Sequence, residues 1–204
     1  MARAFRRRGD RFVARLDDDE RGVVVWLLEQ TRELLAPEPR EPTGDPFEDL
    51  VARMGLPRLK EEGDLADEIP AAPRDPALER LLPSAHRQDP ALAEEFRRLT
   101  EQGLRERKST NLATAISALM DPDGDKVRLD QDQAQAMVVA LTDTRLLLGE
   151  RLGLRTDEDS DALQDRLEAA SEEDPQLYLA ACYDFLTWLQ ESLIQALMGS
   201  SRPV

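Results

Sequence analysis

The residues Asp121-Pro122-Asp123-Gly124-Asp125 set carboxylates at alternate positions, the arrangement with which a calcium-binding loop collects its oxygen ligands. The other requirements of that loop fail. Its turn needs glycine at the sixth position and its ligand set a bidentate glutamate at the twelfth, where this chain has Lys126 and Asp132. An acidic turn between two helices accounts for the same residues by turn geometry alone. His86 is the only histidine, so a Ser-His-Asp triad has no alternative base and no multi-histidine metal cluster can be assembled. Its neighbours, Leu82-Pro83 and Asp89-Pro90, read as a surface loop. Paired acids such as Glu94 and Glu95, or Glu172 and Glu173, are the raw material of acid-base catalysis, but on a polar helix face they are ordinarily just solvated. The Glu-x-x-His pattern of helical di-iron sites is missing, and the glycines form no phosphate-binding loop. The residues support no enzyme, metal site or cofactor.

Cys182 is the single cysteine, at helical spacing from Tyr178, Phe185 and Leu189, and is expected to point into an apolar face as a small hydrophobe. A redox-sensing thiol needs exposure and a nearby positive charge, which Tyr183 and Asp184 do not supply. One cysteine makes no internal disulfide, in keeping with a reducing compartment, and leaves an intermolecular bridge, and with it a homodimer, as the alternative.

Charge is more informative. Arg3, Arg6, Arg7, Arg8, Arg11 and Arg15 crowd the start of a chain that otherwise holds 42 acidic against 27 basic side chains, a net charge of -15. Guanidinium groups grip carboxylates or phosphates bidentately, so Arg6, Arg7, Arg8 and Arg11 are candidate contacts for an acidic protein surface or a nucleic-acid backbone. The competing reading is a basic hairpin lying against the chain's own acidic helices. A second cluster, Arg97, Arg98, Arg105, Arg107 and Lys108 with Asn111, falls in a helical segment, and Asp143 and Arg145 interrupt an apolar run further on. These read first as interhelical pairs that fix register, because buried polar groups must be hydrogen-bonded. A partner-binding groove formed by Arg97, Arg98, Arg105 and Lys108 is the other reading.

Elements must position these residues. Gly9-Asp10 between two short segments predicts a β-hairpin over residues 3–16. The acids Asp17 to Glu20 then open a helix that ends near Pro37. Residues 37–44 and 57–74 read as loops, and Asp45-Pro46 opens a short helix through Phe47, Leu50, Val51 and Met54. The same dipeptide at Asp75-Pro76, Asp89-Pro90 and Asp174-Pro175 marks further helix starts. The helix after Asp89 is expected to kink or break near Gly103. Another helix runs from Asp130 to Gly153, a shorter one from about Asp161 to Ala170, and a last one from Pro175. The last is apolar on more than one face, which predicts the central helix or an oligomer contact. Residues 199–204 read as a flexible tail. The sum is one mainly α domain over residues 1–204, a bundle of six to seven helices with an N-terminal hairpin.

Net charge of -15 repels phosphate backbones and anionic lipid, which disfavours direct nucleic-acid binding and a membrane surface. No apolar run is long enough to cross a bilayer, and the basic start lacks a signal-like continuation, so a cytoplasmic location is expected.

Three segments, FRRRGDRFVARLDDDE from Phe5, DPALERLLPSAHRQDPALAEEFRRLTEQGLRERKSTNL from Asp75 and ALTDTRLLLGERLGL from Ala140, together resemble an actinobacterial family of unknown function that includes the oxidative-stress transcriptional regulator AosR. The resemblance implies a regulator that acts through a sigma factor or RNA polymerase, with a link to redox metabolism. It carries over no functional residue. A helical adaptor or scaffold in another pathway, such as regulated proteolysis, fits the same sequence.

Overall fold

The computed structural model describes residues 1–36, 74–83, 90–169, 171 and 174–199, with side chains left out at 90–98, 157 and 168–169. His86, the expected helix at Asp45, the loop over 37–44 and all but the last residue of that over 57–74 lie outside the described residues, as does the tail beyond Gly199.

Strands β1 (Arg3–Arg8) and β2 (Arg11–Arg15) form the expected antiparallel hairpin, with Gly9 at a φ of 66° where a side chain would be strained. Helix α1 (Asp18–Leu34) starts in a capping box: Glu20 N donates to the Asp17 carboxylate at 2.9 Å, and Asp17 N donates to the Glu20 carboxylate at 2.9 Å. Helix α2 (Pro76–Leu81) is capped by Asp75, and helix α3 (Pro90–Met120) follows. Strand β3 (Lys126–Leu129) comes next, then helices α4 (Gln131–Leu152), α5 (Asp157–Ala169) and α6 (Pro175–Met198). Six helices and one three-stranded antiparallel sheet, in the order β1-β2-β3, make up the described residues. The fold is mainly α, as the pattern predicts.

Three particulars depart from the sequence reading. The acidic turn at Asp121 to Asp125 does more than link two helices: Asp123 and Lys126 exchange backbone hydrogen bonds around Gly124, and the chain then enters β3. There Leu129 lies opposite Phe12 and Val127 opposite Ala14, all four buried. Helix α3 runs unbroken through Gly103, around which a Cβ would meet nothing, so this glycine sits on an open side of an otherwise well-braced helix. The central helix is α4 rather than the last one: α1, α2, α3 and α6 all pack on it. Its buried residues, among them Ala134, Met137, Ala140, Leu141, Leu148 and Gly149, cover a broad arc that leaves one side, with Gln135, Val139 and Thr142, exposed, and several are small enough for close helix approach. Helix α6 packs instead between α4 and β1, leaving Tyr178 and Trp188 exposed.

Helix starts and stops follow local chemistry elsewhere. Asp130 forms a second capping box with Gln133, Gly153 closes α4 in the left-handed conformation, and Asp174 caps α6. Helix α5 begins earlier than expected because the Asp159 carboxylate accepts from the amides of Arg155 and Thr156, a cap that apolar spacing does not reveal. No helix among the described residues is long and apolar enough to cross a membrane.

Candidate functional site

Side chains alternate along a strand, so β2 sends Phe12 and Ala14 inward and Arg11, Val13 and Arg15 outward. The register then sorts the neighbours. Arg8 stands opposite Arg11, Arg6 opposite Val13 and Arg3 opposite Arg15 on one flank, while Arg128 stands opposite Val13 and Lys126 opposite Arg15 on the other. Arg3 and Arg6 share this face only because the pairing shifts between them; in a regular strand an odd and an even position point to opposite sides. Arg7 is the partner of Phe12 and belongs to the other face, where its Nε donates to the Gly9 carbonyl at 2.9 Å. The outer face of the sheet thus carries seven cations, Arg3, Arg6, Arg8, Arg11, Arg15, Lys126 and Arg128, around the single apolar Val13.

Its charge is balanced on one side. Arg11 pairs with Asp130 at 3.5 Å, Arg15 with Asp125 at 3.2 Å, and Arg128 with Asp123. All six groups are roughly half exposed, so each pair contributes about 0–1 kcal/mol and is screened by salt. On β1, Arg3, Arg6 and Arg8 are exposed and make no ion pair among the described residues. The internal-pairing reading therefore describes Arg11, Arg15 and Arg128, while β1 and Lys126 on β3 are left without an ion pair among the described residues.

The second cluster has a different fate. Lys108 on α3 pairs with Asp143 on α4, with 16% and 3% of their side chains accessible. Burial pushes the Asp143 carboxyl up, against the pull of the Lys108 ammonium, and its Oδ2 has no hydrogen-bond partner among the described residues. Beside this pair Thr31 of α1 donates to Thr144 Oγ of α4 at 3.0 Å, both fully buried. Arg145, two residues after Asp143, points away to α6: it donates to Gln190 at 2.6 Å and lies 5.1 Å over the Tyr183 ring. Asp143 and Arg145 thus pair across two different helix interfaces and do not share one groove.

Arg105 is also engaged. It donates to the carbonyls of Leu35 and Ala36 at the end of α1 and to Glu101, which Arg74 grips from the other side. Burial alone would raise the Glu101 carboxyl, but the two guanidiniums outweigh it and hold it below the usual glutamate range. An open groove of about 620 Å³ remains between α1 and α3, lined by Arg32, Glu33, Arg105, Glu106 and Ser109. Its mixed charges give it no net preference for an anion. The side chains of Arg97 and Arg98 lie outside the described residues, and Arg107 is exposed.

Cys182 is 5% accessible and belongs to the main core with Leu186 and Leu189. Burial raises its thiol, partly offset by a hydrogen bond with Tyr178. The thiolate on which oxidation depends is accordingly disfavoured. Among the described residues no group of three or more His, Cys, Asp or Glu side chains could hold a metal ion.

Lys126 and Arg128 are the members of the basic face that the sequence reading passed over. The alternation Lys-Val-Arg-Leu between Asp125 and Asp130 carries a strand period, but four residues are too few to separate it from a loop.

An N-terminal sheet with a charged outer face, docked on a bundle centred on α4, defines a class of small helical protein. Over residues 2–197 the chain matches the family described as Domain of unknown function (DUF2017), and it belongs to that family. No curated protein and no solved structure matches it.

Proposed function

We propose that the chain is a non-enzymatic transcriptional regulator that works by contact with a sigma factor or RNA polymerase, within the actinobacterial branch of the family that includes AosR and its oxidative-stress response. The observation that supports this reading is the exposed run of Arg3, Arg6 and Arg8 on β1, cations with no ion pair among the described residues on a chain of net charge -15. Acidity of the whole favours a protein partner over a nucleic-acid backbone. Of the cations first considered, Arg6 and Arg8 stay in the reading as open contacts, Arg11 shares its charge with Asp130, and Arg105 and Lys108 serve the fold. Burial of Cys182 argues against that thiol as the sensor and against a disulfide-linked homodimer through it, so any response to oxidant enters through the partner.

A tagged pulldown from the native cell, with and without oxidant, tests the reading. Recovery of a sigma factor or polymerase subunits, lost when Arg6, Arg7, Arg8 and Arg11 are changed to Glu, is the expected result. Recovery of protease components and no polymerase would replace it with an adaptor in regulated proteolysis. On non-reducing electrophoresis after peroxide, a dimer abolished by Cys182→Ser would return the thiol to the mechanism.

A further inference from the structure

We infer that the outer face of the sheet is a docking surface for a short, carboxylate-rich segment of a partner protein, laid along β1 where the outward arginines have no ion pair among the described residues. The inference rests on the reading above that the chain acts through protein contacts, and it names the surface and the chemistry of what it holds.

Three features choose the occupant. Outward side chains two residues apart on a strand are about 6–7 Å from one another. Arg6 and Arg8 therefore match carboxylates at alternate positions of an extended segment, or three to four apart on a helix. Among the described residues the arginines of β2 and β3 already have Asp130, Asp125 and Asp123, so three of the four cations left without an ion pair on this face stand on one strand, β1, the fourth being Lys126 at the far edge on β3. A strand of this length spans about 20 Å, only two to three Debye lengths at physiological salt. A long polyanion must run off that strip onto a chain of net charge -15, while a short peptide does not. The third feature is Val13. It lies at the centre of the face between Arg6 and Arg128, partly exposed and outside the apolar core. An aliphatic side chain set between two carboxylates covers it, whereas the phosphate edge of a nucleic acid presents only charge there.

Fluorescence anisotropy with the full-length protein tests this, using as probes a labelled peptide of alternating glutamate and valine and an oligothymidylate of equal charge. The peptide is expected to bind at low salt, to weaken as salt rises, and to bind more tightly than the oligonucleotide. Arg6→Glu and Arg8→Glu should each weaken it about fivefold or more, the loss of a charge-assisted contact. Arg7→Glu changes the net charge equally but sits on the other face, and should alter binding less than about twofold. Circular dichroism melts of all three variants confirm that each is folded. Equal losses in Arg6→Glu and Arg7→Glu would reduce the effect to long-range charge and overturn the proposal. So would tighter binding of the oligonucleotide, absence of peptide binding, or sedimentation that shows the face occupied by a second copy of the chain. Peptide binding with the expected pattern, when cells yield no sigma factor or polymerase, keeps the face and removes the transcription reading. Polymerase recovery that survives Arg6→Glu with Arg8→Glu does the reverse.

Discussion

Lys108 and Arg6 are both cations flagged by clustering, and the fold uses them in opposite ways. Lys108 is held between α3 and α4 against a nearly inaccessible aspartate, where removal of either partner strands a charge in a low-dielectric interior. Arg6 stands on the open side of a sheet with solvent around it and no carboxylate in reach among the described residues. Clustering in sequence locates charge, but burial and register decide whether that charge supports the fold or remains available to a partner.

The comparison breaks most visibly at the buried pair. Lys108→Met leaves Asp143 unpaired and is expected to cost about 3–5 kcal/mol, read from urea midpoints. Adding Asp143→Leu should recover most of that loss, because a well-packed apolar pair is often neutral relative to a buried ion pair. If the single change is as mild as a surface substitution, the pair is more solvated than its accessibility states. Arg105→Met removes the donor to the Leu35 and Ala36 carbonyls and half of the clamp on Glu101, with an expected loss of about 1–3 kcal/mol in the same assay.

Acid should divide the two carboxylates of this region by sign. Glu101 has a folded-state pKa below its unfolded value. Its contribution is complete above the ordinary glutamate range and is lost as pH falls through the depressed value. Asp143 is raised instead, so its contribution is present at low pH and is lost as pH rises from the ordinary aspartate range through the raised value. Glu101→Gln should therefore flatten the acid limb of a stability profile below about pH 4.5, and Asp143→Asn should steepen it. Identical acid limbs in both variants would remove the distinction. At the far end of the scale, Arg6→Glu and Arg8→Glu should change stability by less than about 0.5 kcal/mol, even where they abolish partner recovery.

Local chemistry made much of this fold legible. Gly9 announced the hairpin, Asp75, Asp130 and Asp174 announced helix starts, and Gly153 announced a stop, since each acts through neighbours a few residues away. Asp143 inside an apolar run pointed to an interhelical pair for the same reason a buried charge needs a partner. What stayed hidden depends on distant chain. Gly103 is neutral in a helix whose flanks are tied by Arg74, Glu101 and Arg105, and composition could not tell that α4 rather than α6 is central. The basic face was visible only as a count of arginines. Its membership needed the shift between Arg3 and Arg6 and the arrival of β3.

That arrival also sets an order of events during synthesis. The hairpin is made before the described helices, yet its second strand completes its pairing with residues more than a hundred positions later, and Phe5 N donates to Ser192 Oγ, 187 residues away. At 5–20 residues per second a ribosome needs about ten seconds or more to deliver that last anchor. An isolated two-stranded hairpin is marginal in water, so through this interval Phe5 and Phe12 remain uncovered beside their arginines. The nascent chain thus presents an arginine-flanked aromatic segment, the kind of sequence a chaperone holds, until its last helix emerges and covers it.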